Sequence, residues 1–457
     1  MTEVNPSEDV SPRENSPKLP AAVPYIVGNE AAERFSFYGM KAILMVYMTG
    51  TLMMSKEDAS TWGHLFNAGV YLLPLFGALL ADCYWGKYRT IFWLSIVYCF
   101  GHLVLALPGS WWGGDLKTPL LIGLSLIALG AGGIKSCVSA IVGDQFTAEN
   151  KSLMEKVYAW FYLSINAGSL VSMALTPWLL KKCGPEWAFG VPGILMLVAT
   201  IIFWVGKKKY IIVPPSGSHF LRELVSPTGI HTIMKISLVF VFLVCVWAIY
   251  DQSSYRWVDQ AGKMNGQIFA GISWLPEWIQ AFIMLPAQVQ AVNPFLVLVL
   301  IPLFSYVVYP FVDRFYHLTT LRKIAIGLWL IAFSALFPIW FEMNILRGIE
   351  MNLGWQVVAY IILTIGEVMI NVAALEFAYT QAPPSMKSLI MAVYLLTFTL
   401  GNLLVAFINS LCKSYPDFLA GTDYYWFFFI LGIVNAAIFM IVAATYKEKT
   451  YLQGDSL

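Results

Sequence analysis

At 457 residues, with 58% hydrophobic and only 12% charged side chains and a mean hydropathy of +0.68, the chain is too apolar for an ordinary soluble domain. Its net charge of +1 offers no basis for a nucleic-acid partner. Six cysteines, at 83, 99, 137, 183, 245 and 412, have neither CxxC nor metal-ligand spacing, so neither a zinc site nor a disulfide scaffold is indicated; Cys183 and Cys412 fall near the outer face, where they could pair, without a spacing that says so.

The composition is that of an all-α, polytopic membrane protein. Windows of about 20 apolar residues predict twelve helices near 24–50, 60–82, 88–108, 118–143, 153–180, 187–206, 233–258, 286–311, 320–344, 354–380, 387–412 and 423–446. Residues 1–20, polar and rich in Pro, Ser and acids, read as a disordered tail without a cleavable signal pattern, and 447–457 as a second tail. The longest polar connection, 207–232, divides the helices into two groups of six, 21–206 and 233–446. With both tails cytoplasmic, seventeen of the 28 Lys and Arg residues fall on cytoplasmic segments, eight, Arg256 among them, on the outer side, and three, Arg34, Lys41 and Lys135, inside helices. This bias, with no transit or signal segment, points to a plasma or bacterial inner membrane. Beyond the bilayer, no obligate protein partner is expected.

The first helix carries Glu30, Glu33, Arg34 and Lys41 in an otherwise apolar stretch. At about 100° per residue these four and Tyr38 share an arc of roughly 140°. Each charge costs about 2.5–3.5 kcal/mol in a membrane helix, so a shared face should look into a wet cavity. A purely structural i,i+4 pair between Glu30 and Arg34 is the alternative. In the second helix His64 stands seven residues before Tyr71, either as a hydrogen-bonded packing residue or as a group that changes charge near neutral pH. Lys135 lies in "LGAGGIKSCVSA" of the fourth helix, where glycines allow close backbone approach, and Asn166 in "FYLSINAGSL" of the fifth. Asp251 follows Trp247 by one turn in the seventh; Asn293 precedes Pro294 in the eighth, where the proline breaks or kinks the helix. Glu367 and Glu376 of the tenth are nine residues apart and face opposite ways, with Glu367 nearer mid-membrane. Bases thus gather in the first half and acids in the second, a pattern suited to ion pairs between halves.

Three segments carry a family resemblance: "EAAERFSFYG", Glu30 to Gly39, "GALLADCYWGKYRTI", Gly77 to Ile91, and "YAWFYLSINAGSL", Tyr158 to Leu170. In this order they resemble the proton-dependent oligopeptide transporters of the major facilitator superfamily, over about residues 24–446. "EFAYTQAP", Glu376 to Pro383, and "MKS", Met386 to Ser388, look like the animal branch. The resemblance implies a major facilitator fold and proton-coupled symport of di- and tripeptides by alternating access, with protons as the coupling ion and no other cofactor. Arg34 and Lys135 match the cations that face the peptide carboxylate. Asn166, Asn293 and Glu367 match the groups that hold its amino end and backbone, and Tyr38, Tyr71 and Trp247 match aromatic pocket positions. His64 matches the proton-linked His of animal members, and proton coupling and gating are expected of Glu30, Glu33, Lys41, His64 and Asp251, with a Lys41–Asp251 pair between the halves and a proton entering at His64 and passing towards Asp251.

The chain departs from the family pattern at Phe37, at Lys41, where Arg is usual, at Ser136, where Pro commonly follows the motif Lys, and at Tyr394, where Trp is frequent. Lys41 lacks the bidentate fork of Arg. The 207–232 link is too short for the extra helix pair of many bacterial members, and 345–353 for the extracellular domain of animal ones. Proton-coupled uptake of an amino acid, nitrate or a peptide-like compound is the alternative on the same fold. A membrane enzyme is disfavoured, since no nucleophile elbow, metal cluster or catalytic dyad stands out.

Overall fold

The computed structural model describes residues 18–147, 150, 153–215, 227–269, 272–381 and 387–446. Most of the two tails, the middle of the 207–232 connection, residues 382–386 of the animal-type segments and the side chain of Ser136 lie outside the described residues. What is described is helical, with a single isolated bridge between Asn265 and Asn352.

All twelve expected spans are helical, though the main helices of the seventh, eighth and ninth stop short of the expected ends: α1 Val23–Val46, α2 Lys56–Leu80, α3 Lys87–Ala106, α4 Lys117–Gly143, α5 Met154–Cys183, α6 Pro185–Val205, α7 Pro227–Tyr250, α8 Val292–Leu303, α9 Thr320–Ser334, α10 Gly354–Gln381, α11 Lys387–Ser414 and α12 Asp423–Thr445. Several continue past these limits. α7 passes through a 3-10 turn, Asp251–Ser254, into the helix Arg256–Ala261; α9 continues as Leu336–Leu346; π turns Tyr47–Thr51, Ala81–Trp85 and Phe304–Val308 follow α1, α2 and α8. Among the described residues eleven helices are long and apolar enough to cross a membrane. α1 is as long, and it is its four ionisable residues that set it apart.

Local chemistry accounts for the joints. Ser55 caps α2 by accepting from the Asp58 amide at 3.1 Å. Gly184, at φ 90°, makes the turn between α5 and α6, a conformation most side chains resist. Pro294 neither breaks nor kinks α8 in mid-course: it sits in the first turn, just after the 3-10 turn Pro286–Ala291, where its missing N–H leaves no ladder bond unmade.

Two large apolar clusters hold the helices together, one drawn chiefly from residues 22–210 and one from 236–439. α1 packs between α5 and α6, and α3 against α4 and α6; in the second half α7 packs on α11 and α12, and α9 on α10 and α12. The halves meet where α5 touches α8 and where α2 lies antiparallel to α11. Along that seam Lys413 Nζ reaches Asp58 Oδ1 at 2.7 Å, Asn409 donates to Ser60 Oγ at 3.0 Å, His64 and Asn402 meet at 2.7 Å, and Thr399 Oγ1 donates to the Ala68 carbonyl at 3.3 Å. These contacts belong to the end of the molecule that carries the α1–α2 connection. The outward surface exposes large apolar side chains such as Trp204 and Ile441, as a lipid-facing wall requires.

Candidate functional site

Glu30, Glu33 and Arg34 are buried together on α1. Arg34 Nε lies 2.6 Å from Glu30 Oε1 and 3.2 Å from Glu33 Oε2, so the i,i+4 pair does form but a second carboxylate shares the same guanidinium. Two acids and one base leave the triad one negative charge in excess, and Glu30 Oε2 is buried without a hydrogen-bond partner. One proton on either acid makes the triad neutral and loosens its hold on Arg34.

The same helix face supplies Lys41, whose Nζ meets Asp251 Oδ1 at 3.0 Å where α7 gives way to its 3-10 turn. Both are buried, so the pair joins the two halves away from water. Asn402 of α11 donates to the second oxygen, Asp251 Oδ2, at 2.7 Å, and its own oxygen lies 2.7 Å from His64 Nδ1. Lys41, Asp251, Asn402 and His64 thus form one buried chain of contacts across α1, α7, α11 and α2.

In the second half Asn293 donates to Glu367 Oε2 at 2.6 Å and to Thr364 Oγ1 at 3.1 Å, and accepts from the Tyr250 hydroxyl at 3.3 Å. Asn371 lies 3.4 Å from Glu367 Oε1 and accepts from Tyr394 OH at 2.6 Å. Tyr394, in the position where the family often has Trp, therefore uses a hydroxyl to hold the amide beside the acid.

An aromatic column runs from Lys135 to the Glu367 group. Lys135 Nζ sits 3.8 Å from the centre of the Tyr71 ring; Tyr71 stacks on Phe398 at 4.5 Å, and Phe398 on Trp247 at 3.7 Å. Trp247 in turn meets Tyr250 edge-on at 5.8 Å and donates to Thr397 at 3.0 Å. The close backbone approach expected at the α4 glycines is made to α2 and puts Lys135 there: a Cβ at Gly77 would lie 2.5 Å from Gly133 Cα. The lysine, which has no acid near it in sequence, is held by a ring face instead. Tyr38, half-buried, is edge-on to Phe37 at 5.2 Å. Asn166 makes its hydrogen bond within α5, to the Tyr162 carbonyl at 3.0 Å, and not to another helix.

Several partners escape the sequence reading. Asn402, Phe398, Asn371 and Tyr250 complete the groups above, and a lone Asn in the apolar run "TFTLGNLLVAF" was the available signal for the first. Arg256, counted on the outer side by the charge bias, is buried in the continuation of α7. It contacts Glu57 of α2 at 3.4 Å, donates to Asn409 at 2.7 Å and lies 4.3 Å from the Tyr424 ring centre. None of the six cysteines forms a disulfide, so Cys183 and Cys412 are not bonded to each other. No cluster of three potential metal ligands occurs among the described residues. A groove of about 560 Å³ between α2 and α4, lined by Trp62, Leu65, Phe66, Leu121 and Leu129, lies apart from these polar groups and holds no ionisable residue.

The profile of the POT family matches residues 88–226 and 222–427, which is most of the chain. The chain belongs to the POT family. Among similar proteins, mouse solute carrier family 15 member 2 is 36% identical over 375 residues, covering 71% of this chain and 50% of that protein. Peptide transporter family 1 of Drosophila melanogaster is 36% identical over 368 residues, covering 71% and 48%. The chain spans about half the length of these curated relatives. A crystal structure of an auto-inhibited POT family peptide transporter superimposes with a TM-score of 0.84 at 31% identity, covering 95% of this chain and 99% of that one; the POT family transporter PepTSo gives 0.84 at 33%, covering 94% and 99%. POT family members are transporters, not enzymes; in this chain Arg34 and Lys41 lie on α1, Lys135 on α4, Asp251 in the 3-10 turn after α7 and Glu367 on α10.

Proposed function

We propose that this POT family chain is a proton-coupled symporter of di- and tripeptides, bringing them into the cell by alternating access between the helix groups 21–206 and 233–446. The 207–232 connection and both tails, 1–20 and 447–457, are placed on the cytoplasmic side of a plasma or bacterial inner membrane. The observation that carries this reading is the division of charge about the column: Arg34 and Lys135 on the first half, Glu367 with Asn293 on the second, joined through Tyr71, Phe398, Trp247 and Tyr250. A peptide zwitterion offers a carboxylate to the cations and an ammonium to the acid.

In this reading the end sealed by Lys41 and Asp251 faces outwards. Protonation in the Glu30, Glu33 and Arg34 triad releases Arg34 to take the peptide carboxylate, and Lys135 leaves the Tyr71 ring for the same anion. Glu367 exchanges Asn293 for the peptide ammonium. Tyr38 and Asn166 line the path, and the proton is the only coupling ion required.

The test is counterflow of labelled dipeptide in proteoliposomes against unlabelled dipeptides, tripeptides, amino acids, nitrate and peptide-like compounds. Exchange driven by di- and tripeptides supports the proposal. No counterflow of labelled dipeptide with any of them, in vesicles that do exchange a labelled amino acid or labelled nitrate, overturns it.

A further inference from the structure

The buried contact between His64 and Asn402 fixes more than a hydrogen bond. The Asn402 amide nitrogen lies 2.7 Å from Asp251 Oδ2 and 3.0 Å from the Phe398 carbonyl oxygen. Both partners only accept: one is a backbone carbonyl, and the other a carboxylate paired with Lys41 at 3.0 Å. The amide must therefore turn its two N–H groups to them and its oxygen to His64. An amide oxygen facing a ring nitrogen at 2.7 Å needs a hydrogen on that nitrogen.

We propose that Asn402 is a positioning residue that holds neutral His64 as the Nδ1–H tautomer, leaving Nε2 as the nitrogen that gains and loses a proton. His64 Nε2 is buried and has no hydrogen-bond partner. The neighbouring Tyr255 ring, 4.7 Å away, has its hydroxyl engaged with the Gly63 carbonyl at 2.9 Å. The charged and titratable groups around this chain of contacts are Lys41 from α1, and Asp251, Tyr255 and Arg256 from α7 and its continuation.

The consequence differs from the expectation that a proton passes from His64 to Asp251. A side-chain amide that already spends both N–H groups on acceptors does not relay a proton. A charge arriving at Nε2 instead strengthens the Nδ1–H bond to Asn402 and, through the polarised amide, the bond to Asp251, competing with Lys41 for that carboxylate. The coupling is electrostatic, and the proton stays on the imidazole. This consequence rests on the proton-coupled reading above; the tautomer assignment does not.

The experiment uses the full chain in lipid nanodiscs with ¹⁵N-labelled histidine. The sequence has 5 histidines, and His64 is assigned by the signals lost in His64→Gln. Neutral His64 should show a protonated, pyrrole-type Nδ1 and an unprotonated Nε2, with acidification changing Nε2 alone. Asn402→Asp, which keeps an acceptor beside Nδ1, should preserve that pattern; Asn402→Leu should lose the single tautomer and gain the Nε2–H form. An unprotonated Nδ1 in the wild type overturns the proposal, as does an unchanged tautomer in Asn402→Leu. If Asn402→Leu fails to fold, the wild-type spectrum and Asn402→Asp still decide. The expected tautomer together with gradient-independent uptake would overturn the proton-coupled reading and leave the assignment standing.

Discussion

Lys41 and Asp251 are 210 residues apart in sequence and 3.0 Å apart in space, and their contact is a buried ion pair joining the first half of the molecule to the second. Removing one partner strands the other charge away from water, at a cost of about 3–5 kcal/mol to the state closed at this end. Lys41→Ala and Asp251→Ala should each impair transport, and Lys41→Asp combined with Asp251→Lys should recover part of it. The double-mutant cycle should give a coupling energy on the order of 0.5–3 kcal/mol. Strictly additive losses would remove the pair from any gating role.

Glu367 is the next point of attack. The charge-assisted bond proposed between it and a peptide ammonium would be worth about 1.5–3 kcal/mol, so Glu367→Gln should weaken dipeptide binding by roughly tenfold to a hundredfold. N-acetylated dipeptide should bind poorly to the wild type for the same reason. Equal affinity for free and acetylated peptide, measured by calorimetry, would show that the amino end is not held there.

The α1 triad separates coupling from binding. Glu30→Gln and Glu33→Gln each remove the excess negative charge permanently, so proton-driven uptake should fall while peptide counterflow, which needs no net proton movement, persists. Loss of binding in both variants with the fold intact would assign the two acids to structure.

A zwitterion carried with one proton bears net positive charge, and uptake should respond to both gradients. Each pH unit supplies about 1.4 kcal/mol and each 100 mV, inside negative, about 2.3 kcal/mol. Proteoliposomes in which the two are imposed separately provide the measurement; indifference to both would end the proton-coupled account.

What the sequence made legible follows from cost. A charge in an apolar helix is too expensive to be incidental, so Glu30, Glu33, Arg34, Lys41, Lys135, Asp251 and Glu367 were visible as a set, and the twelve spans were visible from hydropathy alone. Asn402 was not, because an uncharged amide is cheap enough to serve any interhelical bond, and its meaning depends on the register of α2 against α11. Arg256 was counted on the outer side, but its partners Glu57 and Tyr424 lie on other helices, and a charge count cannot name them. Lys135 was found, but its ring partner Tyr71 lies on another helix and no spacing announces it.

The seam between α2 and α11 has a mechanical meaning. Its rungs, Asp58 with Lys413, Ser60 with Asn409, His64 with Asn402 and Ala68 with Thr399, are polar at nearly every turn. Leucines at these positions would fasten the same two helices by burying apolar area at about 25 cal/mol per Å², and prising them apart would expose all of it to water. A polar rung yields more cheaply, since water replaces each lost partner and the net value of such a bond is only about 0.5–1.5 kcal/mol. Under the proposed alternating access, such a joint is strong enough to register two helices and weak enough to be undone once per turnover, a fastening built to be reopened.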